Sequence, residues 1–236
     1  MIKNKEDKYG DDEIFESWTD LNIFVPIAKK LVDPLYEIGM TPNMVTITST
    51  VFTLSSIYFL HIENKKLAFI SYIFGYLLDC VDGRMARKYN LGSDIGMALD
   101  CVSDNISTII LFIYILSTRS YNKRTIILSG ILLFMSYMLS LSFGLNEAVS
   151  AYETSYVSDN FYKRRVKQIK YTKLTNTWYE KILYSIFLLI NKLSYTTYRS
   201  YFPKYDKKEI YENLKLLKHF GPGNYCTIVS IILLYI

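Results

Sequence analysis

The chain has 236 residues, half of them hydrophobic, with a formal net charge of +5 and a mean hydropathy of +0.13, and its apolar residues are clustered rather than spread. Asn43 to Ile62 and Thr125 to Asn146 contain no Lys, Arg, Asp or Glu, and each is about the 20 residues needed to cross a hydrocarbon core. This density excludes intrinsic disorder, ten glycines without a period exclude collagen-like and repeat folds, and basic loops on a membrane chain record topology and lipid contact, so nucleic acid is not an expected partner.

Residues Met1 to Asp12 are dominated by charge and read as a flexible tail. From Glu13 to Ile38 apolar residues recur at helical intervals (Ile14, Phe15, Trp18, Leu21, Phe24, Val25, Ala28, Leu31, Val32, Leu35), with bends expected at Pro26 and Pro34. The stripe predicts an amphipathic helix that either lies on a membrane surface or packs on the rest of the protein. Gly39, Thr41 and Pro42 stop it, dividing the chain into residues 1–42, a tail with an interfacial helix, and residues 43–236, a transmembrane domain.

Six apolar segments follow: Asn43 to Ile62, Leu67 to about Gly83, Ile95 to Ser117, Thr125 to Asn146, Ile182 to Tyr198, and a stretch ending at Ile236 after the break Gly221-Pro222-Gly223-Asn224. The expected fold is all-α, a multi-pass transmembrane bundle of about six helices. The second segment reaches a membrane-spanning length only if Asp79 and Asp82 belong to it. With the N-terminus in the cytoplasm, the loops of the first four spans carry 15 Lys and Arg on the inner side against 5 on the outer. The seven between Lys192 and Lys218 would fall outside if the fifth segment crosses, which either weakens the rule or means that the segment is not a simple span.

Four aspartates interrupt the apolar pattern. Asp79 and Asp82 close the second segment, and Asp100 and Asp104 lie in the third. A carboxylate at the centre of a membrane helix costs about 2.5–3.5 kcal/mol, so four require compensation. Spacings of three and four residues put each pair on one helix face, and an antiparallel pair of helices can bring all four together. Carboxylates without His or Cys form a hard oxygen site that suits two Mg²⁺ or Mn²⁺ ions, a pair that can clamp a phosphoryl group. Gly83 and Ala86 leave room beside the helix end, Arg87 can grip a phosphate, and Gly96 clears the face beneath Asp100.

The run Asp79-Cys80-Val81-Asp82-Gly83-Arg84-Met85-Ala86-Arg87, eight residues, Gly96, three residues, Asp100, three residues, Asp104 resembles the CDP-alcohol phosphotransferase signature D-x2-D-G-x2-A-R-x8-G-x3-D-x3-D at every fixed position. Eight specified positions at ~5% each agree by chance with a probability on the order of 10⁻⁸ in a chain of this length. The resemblance implies a membrane enzyme of phospholipid biosynthesis. It would move a substituted phosphate from a CDP-alcohol, with CDP-diacylglycerol the expected donor, to a hydroxyl acceptor and release CMP. It further implies that Asp79, Asp82, Asp100 and Asp104 hold two divalent cations, with Asp100 bridging them and Asp104 the general base, and that Gly83 and Arg87 contact the CDP diphosphate.

Thr41-Pro42-Asn43-Met44-Val45-Thr46 is similar to a second element of the family, which places Asn43 and Thr46 on the nucleotide side together with Ser93. The loop charge count implies an active site facing the cytoplasm, and a homodimer is allowed. The resemblance names no acceptor-binding residue: Lys192, Arg199 and Lys163-Arg164-Arg165 are candidates, each equally readable as a basic residue at a membrane edge. Two alternatives stay open, a catalytically inactive paralogue and a divalent-cation transporter lined by the same aspartates. His61 and His219 read as interfacial, and the three cysteines support neither a disulfide framework nor a zinc site.

Overall fold

The computed structural model describes residues 16–118, 123–152, 177–201 and 207–235, and among these every regular element is helical. A π-helical turn, Asp20–Phe24, leads into α1 (Val25–Glu37). Then follow α2 (Pro42–His61), α3 (Lys65–Lys88), α4 (Asp94–Thr118), α5 (Lys123–Tyr152), α6 (Trp178–Tyr201), α7 (Lys207–Leu217), a 3₁₀ turn at Lys218–Phe220 and α8 (Pro222–Tyr235). α2 and α4 are long and apolar enough to cross a membrane.

Local chemistry explains the boundaries. Gly39, at φ +87°, ends α1 in a conformation that other residues rarely adopt. Thr41 then caps α2 by accepting the Met44 N–H at 3.3 Å, with Pro42 in the first turn, where its missing N–H costs nothing. Asn64 caps α3 through the Leu67 N–H. α3 closes at Asn90, whose left-handed backbone lets the Leu91 N–H return to the Ala86 carbonyl.

α3 is the central element and packs against α1, α2 and α8, while α4 packs against α2 and α6. Small residues set the closest approach: a Cβ on Gly75 of α3 would lie 3.1 Å from the Ser49 carbonyl oxygen and 3.0 Å from the Thr53 N of α2, and would collide with the Thr53 hydroxyl. α1 buries Val25, Ala28 and Val32 and leaves Ile27 and Tyr36 exposed, so its stripe does pack on the protein. Pro34 sits inside the helix.

A buried polar clasp joins the two ends of the described fold. Asp20, 2% exposed, accepts from the Tyr76 hydroxyl of α3 at 2.6 Å, from the Gly223 N–H that opens α8 at 2.9 Å, and from the Ser17 hydroxyl at 2.7 Å. Asn224 reinforces it by accepting from the Thr19 hydroxyl at 2.7 Å.

The later helices differ from the apolar segments. α5 and α6 are longer than Thr125 to Asn146 and Ile182 to Tyr198, and α7 is an amphipathic helix in a stretch too charged to register as apolar. The charged tail Met1 to Asp12 and the cluster Lys163-Arg164-Arg165 lie outside the described residues, as does the Arg199 side chain.

Gly75→Ala should destabilise the protein by about 1–3 kcal/mol through overpacking of the α2–α3 contact. Gly130→Ala on α5, where an added Cβ meets nothing within 4 Å, should be neutral or slightly stabilising. Thermal unfolding of the two variants in the same detergent measures the difference.

Candidate active site

The site forms where α3, α4 and the first turns of α2 meet. Asp79 and Asp82 lie within α3, and each offers a carboxylate oxygen within 4.8 Å of the others and of one from Asp100 on α4. Asp104, one turn beyond Asp100, lies against Asp79. Asp82 is buried, Asp79 and Asp100 are half-buried, and Asp104 is exposed. Carboxylates from α3 and α4, both packed on α2, thus converge at one site.

α2 supplies the second wall. Its Thr46 hydroxyl, one turn past the helix start, donates to Asp82 Oδ2 at 2.5 Å and also reaches the Pro42 carbonyl at 3.1 Å. Gly96 lies at the point of closest approach: a Cβ there would fall 2.7 Å from Asn43 Oδ1 and 3.0 Å from Ser93 Oγ. Ser93 Oγ accepts the Gly96 N–H at 3.0 Å, which caps the first turn of α4. Thr46 therefore touches a carboxylate directly, while Asn43 and Ser93 meet at Gly96, one turn before Asp100.

Gly83 has a similar function on α3. Arg87 folds back over it, with Nη1 3.2 Å from the position a Cβ would take, so the missing side chain provides the guanidinium's seat. Arg84, a spacer position in the motif, is 8% exposed; its Nη1 donates to the Cys80 carbonyl at 2.8 Å and its Nε has no partner. Lys192 is exposed on α6, away from this cluster in chain and element. An open pocket of about 320 Å³ adjoins the start of α4, lined by Gly92, Ser93, Asp94 and Met97.

The donor set fits a divalent cation. It is oxygen-only, three carboxylates converge within 4.8 Å, and Asp79 Oδ1 is buried without a hydrogen-bond partner. A hard cation would satisfy that oxygen and offset the charge these carboxylates bring into the helices.

An ionic tie anchors α1 beside the Arg87 end of α3. The Lys88 ammonium lies 2.8 Å from Asp33 Oδ1, to which the Tyr89 hydroxyl also donates at 2.7 Å, and Tyr36 stacks on Tyr89 with ring centroids 3.6 Å apart. The bond from Lys88, then that from Tyr89, holds the Asp33 carboxyl below the usual carboxylate range; the same bond to Asp33 pushes the Tyr89 hydroxyl up.

The helices thus bring a D-x2-D pair on α3 and a D-x3-D pair on α4 to one oxygen-only site. The CDP-alcohol phosphatidyltransferase family model matches residues 39–198, and the chain belongs to that family. An uncharacterized protein of Aquifex aeolicus is 29% identical over 133 residues, 54% of this chain and 68% of that protein. The archaetidylinositol phosphate synthase of Pyrococcus horikoshii is 37% identical over 73 residues, 31% of this chain and 39% of the synthase. The CDP-diacylglycerol–inositol 3-phosphatidyltransferase 1 of Arabidopsis thaliana is 36% identical over 67 residues, 28% of this chain and 29% of the plant protein. The chain thus matches well under half the length of either named synthase. No solved structure matches it.

Because the folded Asp33 carboxyl ionises at a lower pH than in the unfolded chain, the tie is fully present above the ordinary aspartate pKa of ~3.9 and is lost as pH falls through the lower folded value. Hydrogen exchange should show α1 protected at neutral pH and loosened below about pH 4. Asp33→Asn should loosen it at neutral pH.

Proposed function

We propose that this protein transfers a substituted phosphate from a CDP-alcohol to a hydroxyl acceptor. In the reaction the acceptor oxygen bonds to the phosphorus, the bond from phosphorus to the CMP oxygen breaks, and CMP leaves. The observation that carries this reading is the convergence of the motif carboxylates Asp79, Asp82 and Asp100 in a chain of this family. CDP-diacylglycerol is the proposed donor, since a lipid donor and product suit a protein whose α2 and α4 can cross a membrane.

Asp79, Asp82, Asp100 and Asp104 would hold two divalent cations, Mg²⁺ or Mn²⁺. Such ions, when bound, neutralise phosphate charge and polarise the phosphorus under attack. Asp104, the open carboxylate of the four, takes the acceptor's hydroxyl proton as general base. Arg87, steadied over Gly83, pairs with the diphosphate, and Asn43, Thr46 and Ser93 border the nucleotide. Positioning and charge compensation supply most of the acceleration in such a transfer.

The proposed topology is a multi-pass membrane protein with about six helices in residues 43–236, and with its N-terminus and site on the cytoplasmic side. α1 would lie along the interface, exposing Ile27, Tyr36 and Lys30 beside the membrane. The names of the archaeal and plant relatives support an inositol-type acceptor.

CMP release from membranes holding the protein, with CDP-diacylglycerol, Mn²⁺ or Mg²⁺ and a panel of alcohols, tests the reading. Activity should vanish with a chelator and return with the metal. Asp104→Asn should lower kcat by about 10²–10⁴-fold, and Arg87→Lys should cost about 10-fold or more by losing the bidentate fork. No CMP with any donor and acceptor, from folded protein, would leave a family member without turnover.

A further inference from the structure

A second polar cluster lies across the contact between α4 and α6. The run Thr177-Trp178-Tyr179-Glu180 at the start of α6 has the spacing of a capping box, in which the two polar side chains would satisfy the first helix N–H groups. The box is not closed: Thr177 Oγ1 and Glu180 Oε2 are buried without a hydrogen-bond partner, and so is the Tyr184 hydroxyl one turn further on. Glu180 and Tyr184 are each only 5% exposed.

Positions 177, 180 and 184 share one helix face, so the three groups form a row about 10 Å long. Tyr184, at the end of the row, faces the start of α4. Tyr184 packs with Ala98 and Val102 and against Met97, and it lies within electrostatic reach of Asp94 and Glu180. Asp94 and Met97, with Ser93, line the open pocket of about 320 Å³. Ser93 in turn borders Asn43 at Gly96, one turn before Asp100. The pocket and the Tyr184 end of the row therefore both border the first turns of α4, next to the turn that leads to Asp100.

Buried polar atoms without partners are costly and uncommon, and three on one face call for a ligand that can pair them. Glu180 and Asp94, as carboxylates, only accept hydrogen bonds; Thr177, Tyr184 and Ser93 can accept or donate. Such a set matches a molecule with several hydroxyls arrayed around a small frame. A single ammonium would satisfy one end of the row and leave the other unpaired. A phosphate monoester would face two carboxylates of its own sign.

We propose that Thr177, Glu180 and Tyr184, with Ser93 and Asp94, form the acceptor subsite, and that it selects an uncharged polyol over a phosphorylated or amino alcohol. The proposal rests on the phosphotransfer reading for its role, although polyol binding can be measured without it.

The test uses the full chain in lipid nanodiscs, with radiolabelled myo-inositol binding measured in the absence of donor, and CMP release measured with myo-inositol, myo-inositol 1-phosphate, glycerol 3-phosphate and serine. The expected result is binding of myo-inositol and preference for it. Glu180→Gln and Tyr184→Phe should each weaken binding and raise the myo-inositol KM by about tenfold or more, while leaving the CDP-diacylglycerol KM and kcat within about twofold. Tyr184→Phe leaves Thr177 and Glu180 untouched, so a shared effect cannot come from a lost helix cap. Asp104→Asn should abolish CMP release yet retain myo-inositol binding. If myo-inositol binds through Glu180 and Tyr184 but no acceptor yields CMP, the subsite stands and the transfer reading falls. If CMP is released but both variants leave the myo-inositol constants unchanged, or if a phosphorylated alcohol or serine is preferred, the subsite assignment is wrong.

Discussion

Aspartates inside apolar helices are the constraint around which this fold is arranged. Placing Asp79 and Asp82 on one helix and Asp100 and Asp104 on the next requires α3 and α4 to be held so that Asp79, Asp82 and Asp100 face one another. α2 must then come close enough for Thr46 to reach Asp82, and it does so only because Gly75, Gly96 and the small residues Ser49 and Thr53 let backbones approach. The same requirement leaves Asp79 Oδ1 without a protein partner, at a place where a hard cation would offset the cluster's charge.

The part of the site that is legible in the sequence is the part encoded locally. Spacings of three and four translate directly into one helix face, so the two carboxylate pairs follow from residue spacing alone. The resemblance singles out Asn43, Thr46 and Ser93, and all three lie near the carboxylates; Asn43 and Thr46 get there through the Thr41 cap that starts α2. Arg84 shows the opposite case. It occupies a spacer position, and nothing in its neighbours signals that α3 turns it into the protein.

What cannot be read from the sequence depends on partners far along the chain. Asp20 looks like an ordinary polar residue on an amphipathic stretch, and its burial follows from Gly223, 203 residues later. Thr177 and Glu180 have a capping pattern whose usual meaning is local, and only the packing of α6 on α4 shows that both polar atoms are left unpaired. α7 escapes notice because its apolar residues form a single stripe between lysines, a pattern without the run length that marks a membrane segment.

The Asp20 clasp imposes an order on folding. A chain made from its N-terminus can assemble α2, α3 and α4, with the carboxylate site, from neighbouring segments. The Ser17–Asp20 segment must wait for Gly223 and Asn224, which are synthesised long after it. Until α8 arrives, Asp20 holds two of its three bonds and α3 lacks one of its flanking helices. The clasp thus acts as a latch that closes only once α8 is in place, and it makes the integrity of α3 depend on residues that contribute nothing to its chemistry.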